Sequence, residues 1–369
     1  MNKKICLASL TASHYRKLIY KLMDEEMGCE FIFGKSDTTI KQLPMEMFHR
    51  AVQVPNIPIG NGKWYKMPEA VSKFKGYDLI IDDMGILCTT SWKNLLVAKC
   101  RGQKVYMWSH GWYGREGFVK KWMKRAYSAL SDGMFVYGNY ARDLMIQNGF
   151  NPDKLHVIHN SLDYDSQIAQ RKQMKPSDIY IEHFANNHPI LLFIGRLTEV
   201  KRLDMIIDAV ARLKSKGEIY NVVFVGDGSE REKLERQTKE LNIQEQIWFY
   251  GACYDEAMNA ELVYNADLCV APGNIGLTAM HTMMFGCPCL SHNDFPWQMP
   301  EFEAIQEGKT GTFFEHDRVE SLANAISRWF SEKKEHREEV RQACYKEIDE
   351  NWNPHKQLEI IKQVIESGK

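Results

Sequence analysis

Arg196 and Lys201 lie five positions apart in Phe193-Ile194-Gly195-Arg196-Leu197-Thr198-Glu199-Val200-Lys201, where an apolar run ends and a helical pattern starts near Asp204. A guanidinium and an ammonium at the carboxyl end of a strand, beside a helix N-terminus, suit a leaving diphosphate. The same spacing also fits a surface loop with solvated cations. A second turn, Ala271-Pro272-Gly273-Asn274-Ile275-Gly276-Leu277-Thr278, leads into a helix that ends at Gly286 with Pro288 beyond. Gly273 and Gly276 allow close backbone approach, so the amides opening that helix can bind phosphate oxygens. A third cluster, Trp108-Ser109-His110-Gly111-Trp112-Tyr113, follows another apolar run. His110 suits proton traffic near neutral pH, and Trp112 and Tyr113 can stack on a sugar or seal a domain edge.

Such residues need a scaffold, and the rest of the chain describes it. Short apolar runs ending in Gly, Ser or Asp alternate with longer amphipathic stretches, the pattern of parallel α/β sheets. Candidate strands are KICLAS, DLIIDD, KVYMWS, GMFVYG and LHVIHN in the first half, then ILLFIG, NVVFVG, IWFYG, DLCVAPG and PCLSH. Helices are expected over 202–216 and 229–241, the latter with Ser229 as N-cap. Asn353-Pro354 divides the C-terminal charged stretch into two helices. The 369 residues suggest two doubly wound domains, with ligands at the strand ends and a cleft where the two sheets face each other. The expected domains are 1–170, joined by a returning helix 354–369, and 176–352.

Composition narrows the class. Apolar residues make up 44% and charged residues 26% of the chain, which describes a globular protein. No run approaches the ~18 apolar residues of a membrane-spanning helix. Met1-Asn2-Lys3-Lys4 before ICLASL has a faint signal-peptide look, but Thr11–Arg16 turn polar at once, which makes it a first strand. Nine cysteines without paired CxxC spacing point to a reducing compartment, hence the cytoplasm, and give structural zinc no support. The net charge of −1 hides an asymmetry: residues 1–175 carry 26 Lys+Arg against 16 Asp+Glu, and the remainder carries 21 against 32. An anionic partner for the first half follows. The basic segment 118–127, FVKKWMKRAY, can lie on an anionic membrane surface, or form a surface helix with Trp122 and Tyr127 facing the core. Nothing matches a nucleic-acid-binding motif.

Over residues 100–330 the chain resembles the retaining glycosyltransferases of family four, which have the GT-B fold. Arg196 and Lys201 match the G-R-L-x-x-x-x-K donor motif that begins at Gly195. Asn160-Ser161-Leu162-Asp163 resembles N-G-x-D, and Val225-Gly226-Asp227-Gly228 resembles V-G-x-G. Gly276-Leu277 to His281 and on to Gly286-x-Pro288 falls on E-G-F-G-L-x-x-x-E-A-M-A-x-G-x-P. The resemblance implies an α/β GT-B fold, two Rossmann-like doubly wound parallel-sheet domains facing a cleft. It also implies a donor site that includes Gly195, Ile275, Gly276 and Leu277, and an acceptor-side role for His110.

The departures are specific. Gly273 and His281 stand where the family has the two glutamates of its E-x7-E motif, one against the donor sugar and one on the ribose. His281 can still hydrogen-bond a ribose hydroxyl, or pack as a helix histidine, and Asn274 and Thr278 can supply replacement contacts. Asp163-Tyr164-Asp165 imitates a metal-binding D-x-D and Asp82-Asp83 are adjacent carboxylates, but the resemblance implies no metal and no cofactor. The expected activity is hexosyl transfer with retention, from a nucleotide-sugar, weakly a UDP-sugar, to a lipid-linked saccharide or polysaccharide precursor, at the inner membrane face. The rivals are a non-catalytic nucleotide-sugar binder and a nucleotide-sugar epimerase.

Overall fold

The computed structural model describes residues 3–35 and 41–367; Met1 and Asn2 of the opening segment lie outside them. Residues up to Tyr164 and from Asn353 onward form one unit, and Asp165–Trp352 form a second.

The first unit is built on a seven-stranded parallel sheet. Its strands are β1 (Ile5–Ser9), β2 (Glu30–Lys35), β3 (Ala51–Pro55), β6 (Leu79–Asp83), β7 (Lys104–Ser109), β8 (Gly133–Val136) and β9 (Leu155–Val157), in the order β3-β2-β1-β6-β7-β8-β9. Between β3 and β6 a small antiparallel ribbon pairs β4 (Ile57–Ile59) with β5 (Trp64–Lys66). Central strands such as β1 are buried on both faces, which is why they read as unbroken apolar runs. The covering helices are α1 (Lys17–Met27), α2 (Pro68–Lys73), α3 (Thr89–Arg101), α4 (Phe118–Leu130) and α5 (Asn139–Gln147).

Helix α6 (Tyr164–Arg171) starts on the last residue before the boundary and continues into the second unit, followed by α7 (Ile179–Phe184). That unit's strands are β10 (Ile190–Ile194), β11 (Asn221–Val225), β12 (Ile247–Gly251), β13 (Leu268–Ala271), β14 (Cys289–His292) and β15 (Gly311–Phe314), in the order β12-β11-β10-β13-β14-β15. Around them lie α8 (Asp204–Ser215), α9 (Arg231–Glu240), α10 (Glu256–Asn265), α11 (Leu277–Met284), α12 (Val319–Lys333) and α13 (Arg337–Asn351). Helix α14 (Pro354–Ser367) belongs to the first unit, where Leu358 and Ile361 join Leu18, Ile19 and Leu22 in one apolar cluster.

All ten sequence-derived strands are present. The strands that reading passes over are β2 and β3, the β4–β5 ribbon and β15. β3 and β15 are edge strands, and β3 is largely exposed and ends in a proline, so neither carries a continuous apolar run. Ser229 does not cap α9. The helix begins after Glu230, whose N–H donates to Leu197 O at 3.0 Å, so a contact from the Arg196 loop sets the boundary.

Candidate functional site

In the second unit the carboxyl ends of β10, β11 and β13 converge. Gly195 N donates to Val225 O (2.9 Å) and Leu197 N to Asp227 O (3.0 Å), so the loop after β10 continues the sheet's hydrogen bonding into the turn after β11. Gly226 permits this approach, because a Cβ there would stand 1.9 Å from Gly195 O. The turn Glu199–Lys201 then carries Lys201 inward, where Nζ donates to Asn274 O (2.8 Å) and Asn274 Oδ1 (2.9 Å). Burial lowers the Lys201 pKa and nearby Arg196 lowers it further, while the Glu301 carboxylate opposes both. Arg196 itself is exposed and makes no ion pair among the described residues. Lys201 is thus a cation fixed in place, and Arg196 a cation free to close on an anion.

Gly273 is the tightest point of the site. Its N–H donates to Lys201 O (3.0 Å), and a Cβ would stand 2.0 Å from Val200 O and 2.7 Å from Lys201 Cα. No glutamate fits there while the Lys201 loop keeps this position. Helix α11 follows, with Gly276 at its N-cap and no side chain capping it, so its first amides keep their hydrogen-bonding capacity for an anion.

Three expected donor contacts are redirected. Ile275 is buried in the core and its N–H is taken by Gln298 Oε1 at 2.8 Å. The Thr278 hydroxyl donates to Ile194 O (3.2 Å), tying α11 to β10, and both Asn274 oxygens accept from Lys201. What the loop offers a ligand is therefore backbone at Gly276 and Leu277, plus Arg196. His281, one turn further, accepts at Nδ1 from Gln167 Nε2 (3.3 Å), which assigns the ring proton to Nε2. That Nε2 is buried with no partner among the described residues, and burial pushes the pKa down to about 4, so the ring is neutral at pH 7. Glu301 lies 2% exposed beside Gly276, close enough that a Cβ at 276 would be 3.8 Å from its Oε2. Sequence reasoning missed Glu301, Gln167 and Gln298, which reach the site from distant segments and carry no local signal.

In the first unit His110 follows β7. Its ring meets Tyr137 edge-on at 4.9 Å, and burial, reinforced by Arg16 and Lys124, holds its pKa down near about 4. Its loop is braced from α4. Buried Lys124 donates to Gly111 O and to Glu116 Oε1 (2.8 Å), and Glu116 accepts from Tyr113 N and Gly114 N, both at 3.0 Å. Tyr113 is half-buried beside His110. Trp112 faces the other way: it is 1% exposed and packs edge-on against Phe150 at 5.1 Å, so it is core and not a sugar platform.

Helix α4 divides the two aromatic residues that the core-facing alternative paired. Tyr127 is buried, but Trp122 is 64% exposed, beside Phe118 at 84% and Val119 at 69%. The outward face also carries Lys120 and Arg125, and a shallow cleft by Trp122 is lined by Arg125, Phe150 and Lys154. No helix among the described residues is long and apolar enough to cross a membrane. Among the described residues no group of three or more His, Cys, Asp or Glu could hold a metal ion, and Asp163-Tyr164-Asp165 falls at the boundary of the two units.

Comparison with known proteins finds a family model and several similar structures. The model of the family "Glycosyl transferases group 1" matches residues 175–347, the segment that carries the Arg196, Lys201 and Gly276 turns. A GDP-mannose-dependent alpha-(1-6)-phosphatidylinositol dimannoside mannosyltransferase of Mycobacterium tuberculosis is 31% identical over 160 residues, 42% of this chain and 39% of that protein. The alpha-D-kanosaminyltransferase of Streptomyces kanamyceticus is 22% identical over 214 residues, 57% of this chain and 54% of that protein. The chain spans about half the length of the curated relatives it matches first. Among solved structures, HepE of Anabaena in complex with UDP aligns over 99% of this chain and 100% of that one, with a TM-score of 0.75 at 16% identity. At that identity the likeness is one of fold, and the fold is GT-B.

Proposed function

From the match of residues 175–347 to the group 1 glycosyl transferase model, we propose that the chain is a retaining glycosyltransferase of that family and takes its sugar from a nucleotide diphosphate donor. One observation carries this reading: a fixed Lys201, an unpaired Arg196 and the uncapped start of α11 meet at the strand ends of one sheet. Positive charge and free amides at one point stabilise the charge that grows on a departing diphosphate. The bond between the anomeric carbon and the diphosphate oxygen breaks. The acceptor oxygen bonds that carbon on the same face, and its proton leaves on the diphosphate. No protein nucleophile is required, and no metal.

UDP is the favoured nucleotide, since it is bound by the fold neighbour HepE, with GDP as the alternative named for the mycobacterial relative. Gly276, Leu277 and Arg196 would meet the diphosphate, and the His281 Nε2–H a ribose hydroxyl. His110 and Tyr113 stand on the acceptor side, His110 as a neutral imidazole. The acceptor is a saccharide, placed on a lipid by the outward face of α4, whose Phe118, Val119 and Trp122 enter an anionic membrane surface while Lys120 and Arg125 meet its headgroups. The protein then works at the cytoplasmic face of a membrane.

Thermal stability in EDTA against UDP, GDP and their sugars tests the donor site. A nucleotide at 100 times its dissociation constant adds about 2.7 kcal/mol. For a unit of this size that is a rise of roughly 5–10 °C. One nucleotide family should stabilise the wild type and not Arg196→Ala/Lys201→Ala; no response to any of them sinks the proposal. The crowding at Gly273 favours a second reading, a nucleotide-sugar binder without turnover. Donor binding without release of nucleotide diphosphate, to any acceptor or to water, would select it.

A further inference from the structure

The turn over residues 272–276 aims the first amides of α11, yet little within it fixes its direction. It contains two glycines, Gly276 caps the helix without a side chain, and no acidic residue lies in the helix's first turn. Two side chains from elsewhere hold it. Lys201 grips Asn274 from the β10 side, and as a cation it is itself drawn to an arriving diphosphate. Gln298 grips Ile275 from the β14 side and carries no charge.

Gln298 follows the turn Phe295–Trp297 and is 1% exposed. Both ends of its amide are used. Oε1 accepts from Ile275 N (2.8 Å), and Nε2 donates to Ser291 Oγ (2.8 Å) and His292 O (2.9 Å). With a backbone N–H on one side and a backbone carbonyl on the other, only this orientation of the amide satisfies both. Ser291 is fully buried, in register with Ala271 on the neighbouring strand, and its hydroxyl donates to Ala271 O (2.8 Å) with Gly273 O next nearest at 3.4 Å. Met299, the next residue along, packs against Gly276, where a Cβ would stand 3.5 Å from its Cγ. One side chain therefore joins the end of β14, the end of β13 and the residue before Gly276. Gln246 in the same unit shows a plainer use of a buried glutamine: its Nε2 donates to Tyr220 O (2.9 Å), and its Oε1 has no partner among the described residues.

Resting on the glycosyltransferase reading, we propose that Gln298, relayed through Ser291, is a positioning residue for the donor's diphosphate. It touches no ligand. It holds the 272–276 turn so that the Gly276 and Leu277 amides already face the phosphate oxygens and need no reordering when the anion binds.

The test compares ligands that differ only in their phosphates. Dissociation constants for UDP and GDP are measured by calorimetry in EDTA, and those for uridine and guanosine by saturation-transfer NMR, alongside melting curves. The wild type should bind one diphosphate at least about tenfold more tightly than its nucleoside. Gln298→Met keeps the volume and loses all three bonds; it should weaken the diphosphate about tenfold or more and leave the nucleoside within about twofold. Ser291→Ala removes the relay but leaves Ile275 its acceptor, and should weaken the diphosphate about threefold. Gln246→Met should leave both constants as they are, whatever stability it loses. Unchanged diphosphate binding in Gln298→Met, or equal weakening of diphosphate and nucleoside, overturns the inference, and if that variant does not fold, Ser291→Ala decides by the same two criteria. A wild type that binds neither diphosphate ends the function reading instead.

Discussion

If Gly273 is imposed by packing, a side chain there damages the second unit before it affects any substrate. A Cβ at 273 would stand 2.0 Å from Val200 O, 2.7 Å from Lys201 Cα and 2.8 Å from Lys201 C. All three are backbone atoms, so no rotamer change relieves the contact and the turn Glu199–Lys201 must move. Overpacking a tight site costs about 1–3 kcal/mol where side chains can yield. With backbone on the far side Gly273→Ala should reach the upper end, about 3 kcal/mol. For the 188 residues of Asp165–Trp352, that lowers the melting temperature by roughly 6–12 °C. Gly273→Glu, which restores the carboxylate found in the resembled motif, should cost at least as much and still lose the nucleotide-induced shift, because Lys201 moves with its loop. The matched control is Gly76→Ala, an exposed position outside the left-handed region with nothing within 4 Å of an added Cβ, which should change stability by less than about 0.5 kcal/mol. The assay is urea and thermal unfolding followed through the second unit's transition. A Gly273→Ala protein as stable as the Gly76→Ala control would refute the packing argument, and a Gly273→Glu protein with stronger nucleotide binding would show that the loop adapts.

Three further outcomes follow from the same geometry. Lys124→Met leaves Glu116 buried without its cation and should cost about 3–5 kcal/mol in the first unit's transition, whereas Lys124→Met/Glu116→Gln should recover part of that loss; equal stability of Lys124→Met and wild type would remove the brace. Phe118→Ala/Trp122→Ala should weaken sedimentation with phosphatidylglycerol-rich vesicles at low salt by at least tenfold while leaving melting nearly unchanged, since both side chains are exposed; unaltered binding would take the membrane off α4. His281 is held at about 4, below the ordinary value of about 6.5, so its neutral form adds stability above pH 6.5 that is lost as the pH falls toward 4. His281→Asn should therefore flatten the second unit's stability-against-pH slope across that window, by up to one proton, and an unchanged slope would place the titrating group elsewhere.

The sequence was most legible where one physical constraint repeats. Strands buried on both faces must be apolar throughout, so β1, β6 to β8, β10, β11, β13 and β14 announce themselves, while edge strand β3, AVQVP, faces solvent and keeps only Val54 buried. Arg196 and Lys201 were legible for a similar reason: they share one short loop, so their spacing alone places them near the strand end. The groups that make the site specific are not local. Glu301 approaches Gly276 from a 3-10 turn after β14, and Gln167 reaches His281 from α6. Residue type misled in both directions. Trp112 sits in a loop yet is buried, because its neighbour Gly111 is tied down by Lys124, and Lys124 in a basic helix is itself among the buried residues.

Helix α4 explains why those two errors have one origin. Four cations among aromatic residues read as a surface, and on one side that is correct: Phe118, Val119 and Trp122 point outward with Lys120 and Arg125. The other side is a brace, with Tyr127 donating to Asp82 at 2.8 Å and Lys124 donating to Gly111 O and Glu116. These inward residues hold the end of β6 and the loop that presents His110. On the proposed function, a helix whose outward residues bind a membrane while its inward residues brace the His110 loop would set that loop at one depth relative to the lipid surface. A flexible tether could hold the protein to a membrane but not fix that depth. On this reading the exposed face of α4 and its buried brace answer the same requirement, and Phe118→Ala/Trp122→Ala and Lys124→Met test each by itself.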